Sequence, residues 1–211
     1  MIFRNRIIKD TAILTIMQLI LDTASILLNV TITKRLGTSA MGIVSLTGSF
    51  MILAGMVSNG NAFLCTSRLV SEERGRGDGN PDKVLKYAFM MCTALSISTA
   101  VILFLFGEGI SLKFFSTPDM KKPLYFIAFS LPVGAFSSCF KGYFNAMRKV
   151  SLTARADIIE FVVKSSVIAL LVFTLNNPGN AQVCELMTAG IVCGNFSSLI
   201  YFTIIFLCKI I

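Results

Sequence analysis

Residues 141–175, KGYFNAMRKVSLTARADIIEFVVKSSVIALLVFTL, join a basic stretch to an apolar run of membrane length that carries charges where lipid would reject them. On a helix turning 100° per residue, Asp157, Glu160 and Lys164 fall on one face, and Glu160 precedes Lys164 in the favourable acid-then-base i,i+4 order. That spacing predicts a mutually neutralising Glu160–Lys164 pair. An ionisable side chain at the bilayer centre costs roughly 2.5–3.5 kcal/mol on insertion scales, so this face is expected to look into the helical bundle or a wet cavity. The opposite face, with Ile158, Val162, Ile168 and Leu171, suits lipid or neighbouring helices.

The rest of the chain agrees with a membrane setting. Of 211 residues 55% are hydrophobic and 14% charged, and the mean hydropathy is +0.77, far from a soluble average. A net charge of +8 raises the question of nucleic acid. The basic residues, however, lie in short stretches between apolar runs, and no polar domain remains to form a binding face, so nucleic-acid binding is not expected. With no histidine, His-based metal sites and Ser-His-Asp triads are excluded. Six cysteines without a CxxC pair read as small buried hydrophobes rather than metal or redox groups. Nothing points to an enzyme or a bound cofactor.

A span needs about 20 mainly apolar residues. Windows near 11–33, 42–67, 84–106, 123–145, 153–175 and 183–209 qualify, so the fold class is an all-α polytopic membrane bundle of six transmembrane helices. MIFRNRIIK starts like a signal peptide, but the apolar run that follows is too long and has no clear cleavage site, so it reads as an uncleaved first span. Thirteen basic residues, among them Arg4, Arg6, Lys9, Arg74, Lys141 and Lys209, fall on the side of the termini. Five (Lys34, Arg35, Lys113, Lys121 and Lys122) fall on the other, which predicts a cell-membrane protein with both termini cytoplasmic. Asn80-Pro81 should cap and start the third span, Gly107 should end it, and Asn177-Pro178-Gly179 should turn the chain before the sixth. Residues 71–83, SEERGRGDGNPDK, read as a charged cytoplasmic connector, and Tyr87, Tyr125 and Tyr143 as an interfacial belt.

Polar faces supply the candidate site. Thr11, Thr15, Gln18, Asp22, Ser25, Asn29 and Thr33 form one stripe along the first span, a pattern that favours a cavity lining; alternatively, Asp22 is neutral and hydrogen-bonded between helices. The second span places Ser45, Gly48, Gly55, Asn59, Ala62 and Thr66 on one side and is interrupted at Ser58-Asn59-Gly60-Asn61. Unwound backbone at membrane depth lines water or is packed in protein. Pro132 and Gly134 raise the same two options in the fourth span. Gly190 and Gly194, followed by Ser198, make a small-residue ridge for close packing, inside the bundle or against a second chain.

Three stretches resemble the multidrug/oligosaccharidyl-lipid/polysaccharide (MOP) flippase superfamily, in its polysaccharide-export and sporulation-protein branch. Lys34-Arg35-Leu36-Gly37-Thr38-Ser39-Ala40-Met41-Gly42 is similar to the family's "rLGxxxxG" turn. Asn59-Gly60-Asn61-Ala62-Phe63 running to Ser67-Arg68-Leu69-Val70-Ser71-Glu72 resembles its "GxxxAxSrlvsE" pattern. Lys141-Gly142-Tyr143-Phe144 with Ile158-Ile159-Glu160-Phe161-Val162-Val163-Lys164 resembles "rGyfqG…viEqvvR". The chain departs from the family at Leu152-Thr153, where a proline is usual, and at Asn145-Ala146, where a polar-Gly pair is usual.

The resemblance implies one lobe of a two-lobed MATE/MOP-type transporter. The expected activity is that of a flippase or exporter for lipid-linked oligosaccharide or polysaccharide precursors, working by alternating access as the N-terminal half of a truncated or split protein. Its partners would be the lipid-linked glycan, membrane lipid, and a C-terminal lobe or a second copy. Its cavity residues would be Asp22, Gln18, Asn29, Asn59, Arg68, Glu160 and Lys164, with Lys164 and Arg68 meeting a pyrophosphate-lipid head. Asp22 and Glu160 would handle a coupling Na+ or H+ or hold the bases in place. The rival readings are half of a multidrug cation antiporter, which predicts an acidic, base-poor cavity, and a six-helix membrane module with no transport activity.

Overall fold

The computed structural model describes residues 2–76, 79–115, 121–174 and 180–210. They form seven helices: α1 (Ile2–Leu36), α2 (Thr38–Asn59), α3 (Ala62–Gly75), α4 (Pro81–Phe115), α5 (Lys121–Ala146), α6 (Val150–Thr174) and α7 (Asn180–Ile210). Among the described residues there is no strand. The side chains of Arg4, Arg6, Lys9, Thr38, Ser39, Ala40, Lys121, Leu171 and Lys209, and the Asn177-Pro178-Gly179 turn, lie outside the described residues. Five segments are long and apolar enough to cross a membrane: Thr11–Leu36, Met41–Gly75, Pro81–Lys113, Lys122–Ala146 and Gln182–Cys208. The remaining long helix, α6, carries Arg155, Asp157, Glu160 and Lys164 within its length. The protein is a polytopic helical membrane bundle.

Local chemistry sets the helix ends. Gly37 takes φ +86° before α2, and Gly60 closes that helix in the left-handed region, its N–H bonded to the Met56 carbonyl. Asn61 follows at φ 57°, so the second apolar window is two helices with a two-residue break at the position its Asn and Gly content suggested. Asn80 Oδ1 accepts the backbone N–H groups of Asp82 and Lys83 at 3.2 and 3.3 Å, and Pro81 fills the first helical position of α4. Two expectations fail. Helix α4 runs through Gly107 to Phe115, because in lipid an unpaired backbone group costs more than a mid-helix glycine. Helix α3 runs to Gly75, so the first five residues of the expected 71–83 connector are helical.

Helix α5 is the hub, touching α2, α3, α4, α6 and α7. Of its most apolar stretch 61% is buried, against 0% for α1, which packs mainly on α2 and α6. Around α5 a ladder of rings joins Phe89, Phe140, Tyr143, Phe144, Phe202 and Phe206. Tyr143 is fully buried and donates its hydroxyl to Asp82 Oδ1 at 2.6 Å, so it belongs to the core and not to an interfacial belt. Lipid tails are as apolar as leucine, so helix association relies on close packing and hydrogen bonds across helices. Ser137 and Ser198 meet at 3.0 Å between α5 and α7. Cys92, Cys139 and Cys184 are buried as expected, whereas Cys65, Cys193 and Cys208 are exposed on the bundle's surface.

Glycines set the closest approaches. A Cβ on Gly142 would lie 2.5 Å from the Phe63 carbonyl oxygen, so α5 rests directly on the backbone of α3. A Cβ on Gly190 would lie 2.5 Å from Ile168 Cγ1, and one on Gly194 3.1 Å from both the Glu160 oxygen and Lys164 Cβ. The small-residue ridge therefore packs inside the bundle against α6, which removes it as a contact for a second chain. Gly142→Ala, whose methyl meets immovable backbone, is expected to lower stability by about 1–3 kcal/mol. Gly194→Ala should cost less, and unfolding of both variants in detergent micelles checks the order.

Candidate functional site: charged clefts between α1 and α6

The carboxylates Asp157 and Glu160 of α6 are met from α5 and not along α6 itself. Lys141 Nζ lies 2.7 Å from Asp157 Oδ1 and 3.0 Å from Glu160 Oε2, and all three side chains are mostly buried, between 22% and 29% exposed. Lys141 sits about one turn before the end of α5. The expected Glu160–Lys164 pair is not made. Facing two carboxylates at once, the α5 ammonium offers Glu160 a partner that brings no like charge along its own helix, and Glu160 turns to it.

Lys164 is thereby left over. Among the described residues it makes no ion pair, and its side chain enters a cleft of about 350 Å³ between α1, α2, α6 and α7. Ser25 and Asn29 of the α1 stripe line that cleft with Thr47, Ser165 and Thr188. Gly194 positions the group, since its missing side chain lets α7 slide under the Glu160 and Lys164 turn. A second cleft, about 440 Å³, opens between the same two helices nearer the α5–α6 turn. Thr15, Gln18, Phe63, Lys141, Asn145, Thr153 and Asp157 are among its lining residues. The Thr153 hydroxyl is buried there without a hydrogen-bond partner among the described residues.

The other sequence candidates divide. Gln18 and Asn29 line one α1/α6 cleft each. Asp22, exposed between them, accepts a hydrogen bond from Gln18 Nε2 at 3.0 Å on its own helix, not from another helix. Asn59 lines a separate cleft between α2, α3 and α4, and its Oδ1 has no partner among the described residues. Arg68 is 80% exposed, pairs with Glu72 at 3.1 Å and lines neither α1/α6 cleft. Sequence reasoning missed Lys141 as a site residue. Its only signal was its place as the basic residue opening the Lys141-Gly142-Tyr143-Phe144 motif.

Chemically, the arrangement combines a triad of one ammonium and two carboxylates with a lone cation and a line of amide and hydroxyl groups. Among the described residues no group of His, Cys, Asp or Glu is suited to hold a metal ion. A protein-family model described as "Polysaccharide biosynthesis protein" matches residues 7–210. Stage V sporulation protein B of Bacillus subtilis (strain 168) is 22% identical over 204 residues, which cover 96% of this chain and 39% of that protein. The chain therefore spans about two fifths of the length of this curated relative. No solved structure matches the chain.

Removing one member of a buried charge group strands the others. Lys141→Met, which leaves Asp157 and Glu160 facing each other, is expected to cost about 3 kcal/mol. Asp157→Asn should cost less, because Glu160 keeps Lys141, and combining the two should recover part of the loss. Denaturation of the three variants in micelles reads the ranking.

Proposed function

The chain belongs to the polysaccharide biosynthesis protein family, and from that premise we propose that it forms one helical lobe of a carrier for lipid-linked oligosaccharide or polysaccharide precursors. The observation that carries the reading is Lys164, an ammonium without a carboxylate partner in a cleft whose other polar groups are amides and hydroxyls. An unpaired cation at that depth is costly, and an anionic headgroup would relieve the cost on arrival. A pyrophosphate joining lipid to glycan is such a group, and Asn29 and Ser25 can donate hydrogen bonds to its oxygens.

The Lys141 triad has a different role in this scheme. Asp157 and Glu160 already hold their cation, so the triad fastens α5 to α6 while Lys164 and α1 remain available to substrate. Coupling to Na+ or H+ would use Asp22, the carboxylate of the stripe that lies outside the triad. Alternating access needs a second surface closing over the α1/α6 clefts, supplied by further helices or by a second copy of the chain. The charge asymmetry supports an orientation with both termini in the cytoplasm. A cavity for organic cations would want an excess of acid, and a free lysine works against it. Family membership supports a membrane carrier over an enzyme.

The test is flipping of a fluorescent polyprenyl-pyrophosphate saccharide in proteoliposomes. Lys164→Gln is expected to reduce the rate by about tenfold or more, the equivalent of ~1.4 kcal/mol, at unchanged protein level. Arg68→Gln should leave the rate within about twofold, since loss of an exposed ion pair is worth only a few tenths of a kcal/mol. Full activity of Lys164→Gln together with Asp22→Asn would overturn the assignment.

A further inference from the structure

We propose that the cleft of about 440 Å³ near the α5–α6 turn is a binding subsite for a sugar unit. The assignment rests on the carrier reading above and deepens it: Lys164 meets the pyrophosphate, and this cleft takes a neutral, hydroxyl-bearing ring attached to it. The volume lies within the roughly 300–1,000 Å³ of small-ligand sites. Charge separates this cleft from that of Lys164. Its charged lining residues are Lys141 and Asp157, one cation against one carboxylate 2.7 Å away, so the wall favours neither an anion nor a cation.

Four helices build the wall. Lys141 and Asn145 stand one turn apart on α5, and Thr153 and Asp157 one turn apart on α6, so each pair shares a face of its helix. Gln18 comes from α1 and Phe63 from the first turn of α3. A Cβ on Gly142 would lie 2.5 Å from the Phe63 carbonyl oxygen, so Phe63 is seated on the helix that supplies Lys141 and Asn145. Gln18 gives one N–H to Asp22, and its amide has a second N–H and a carbonyl oxygen besides. Thr153 is 8% exposed, and its hydroxyl has no hydrogen-bond partner among the described residues. A ligand hydroxyl supplies one.

Amides, a hydroxyl and an aromatic ring match the two sides of a pyranose. Its hydroxyls both donate and accept, and its C–H face carries the slight positive charge that an aromatic face attracts. Phe63 is the one aromatic ring among the lining residues. The spacing along the seam also fits. Gln18 to Ser25 on α1 and Asp157 to Lys164 on α6 are equal steps of about 10 Å along each axis, so the two clefts follow one another between the same helices. A pyrophosphate-linked saccharide can bridge that distance.

The test uses the full chain in nanodiscs, titrated by native mass spectrometry with farnesyl pyrophosphate and with the same lipid pyrophosphate carrying glucose, galactose or N-acetylglucosamine. At least one sugar-bearing probe is expected to bind about tenfold or more tighter than the bare pyrophosphate. The Asn145→Leu/Thr153→Val double variant should abolish that preference while binding bare farnesyl pyrophosphate as before, and Phe63→Leu should lower it. Thr153→Val alone should melt no earlier than the unaltered chain, because no hydrogen bond within the described residues is lost with the hydroxyl. Lys164→Gln is expected to weaken every probe by a similar factor and to leave the preference intact. If it weakens none of them while the preference persists and depends on Asn145 and Thr153, the headgroup assignment fails and the sugar subsite stands. An unaltered chain without preference for any sugar-bearing probe overturns the subsite, and so does a preference that the folded double variant retains.

Discussion

Ionised groups within a hydrocarbon slab must find opposite charge, water or a ligand, and the ion triad of Lys141, Asp157 and Glu160 is how this bundle meets that demand. The triad fixes the rotation of α6. With Asp157 and Glu160 turned toward α5, Lys164 one turn further on faces α1, and Ile168 packs on Gly190. A charge constraint at one end of a helix thus decides what its other half presents to the cleft.

The same central helix organises the packing. Helix α5 meets α3 at a glycine, α4 through Phe89 and Phe140, and α7 through Phe202 and the Ser137–Ser198 contact. None of these relies on expelling water, which is absent on both sides of a membrane helix interface. Shape and small residues replace it, and the clefts open along α1, which contributes polar side chains but little close packing.

Much of this was legible along the chain. Apolar windows of membrane length located the helices because each has to satisfy its own backbone in lipid, and Asn80-Pro81 marked a start for the same reason. The Asn-Gly-Asn run at 59–61 marked the break, since these residues tolerate left-handed backbone. The fold class follows from such local rules. The site was less readable. Spacing along α6 offers Glu160 only Lys164, and no periodicity reveals that Lys141, nineteen residues earlier, arrives closer from another helix. Tyr143 near a helix end has the signature of an interfacial ring until the position of Asp82 is known. Whether the glycine ridge packed inward or outward likewise depended on where α6 runs, and Arg68 could be set apart from the clefts only once α3 was placed.

The loose seating of α1 bears on how the protein is made. Helix α1 is synthesised first, yet α6, against which it packs, leaves the ribosome more than a hundred residues later. In the interval its stripe has no protein wall to face. The Gln18–Asp22 bond and the hydroxyls of Thr15, Thr23, Thr31 and Thr33, each bonded to a carbonyl one turn back, let the segment satisfy much of its own polarity while it waits in the bilayer. The internal bonding that makes α1 a tolerable lone resident of nascent-chain insertion also keeps it detachable in the finished bundle.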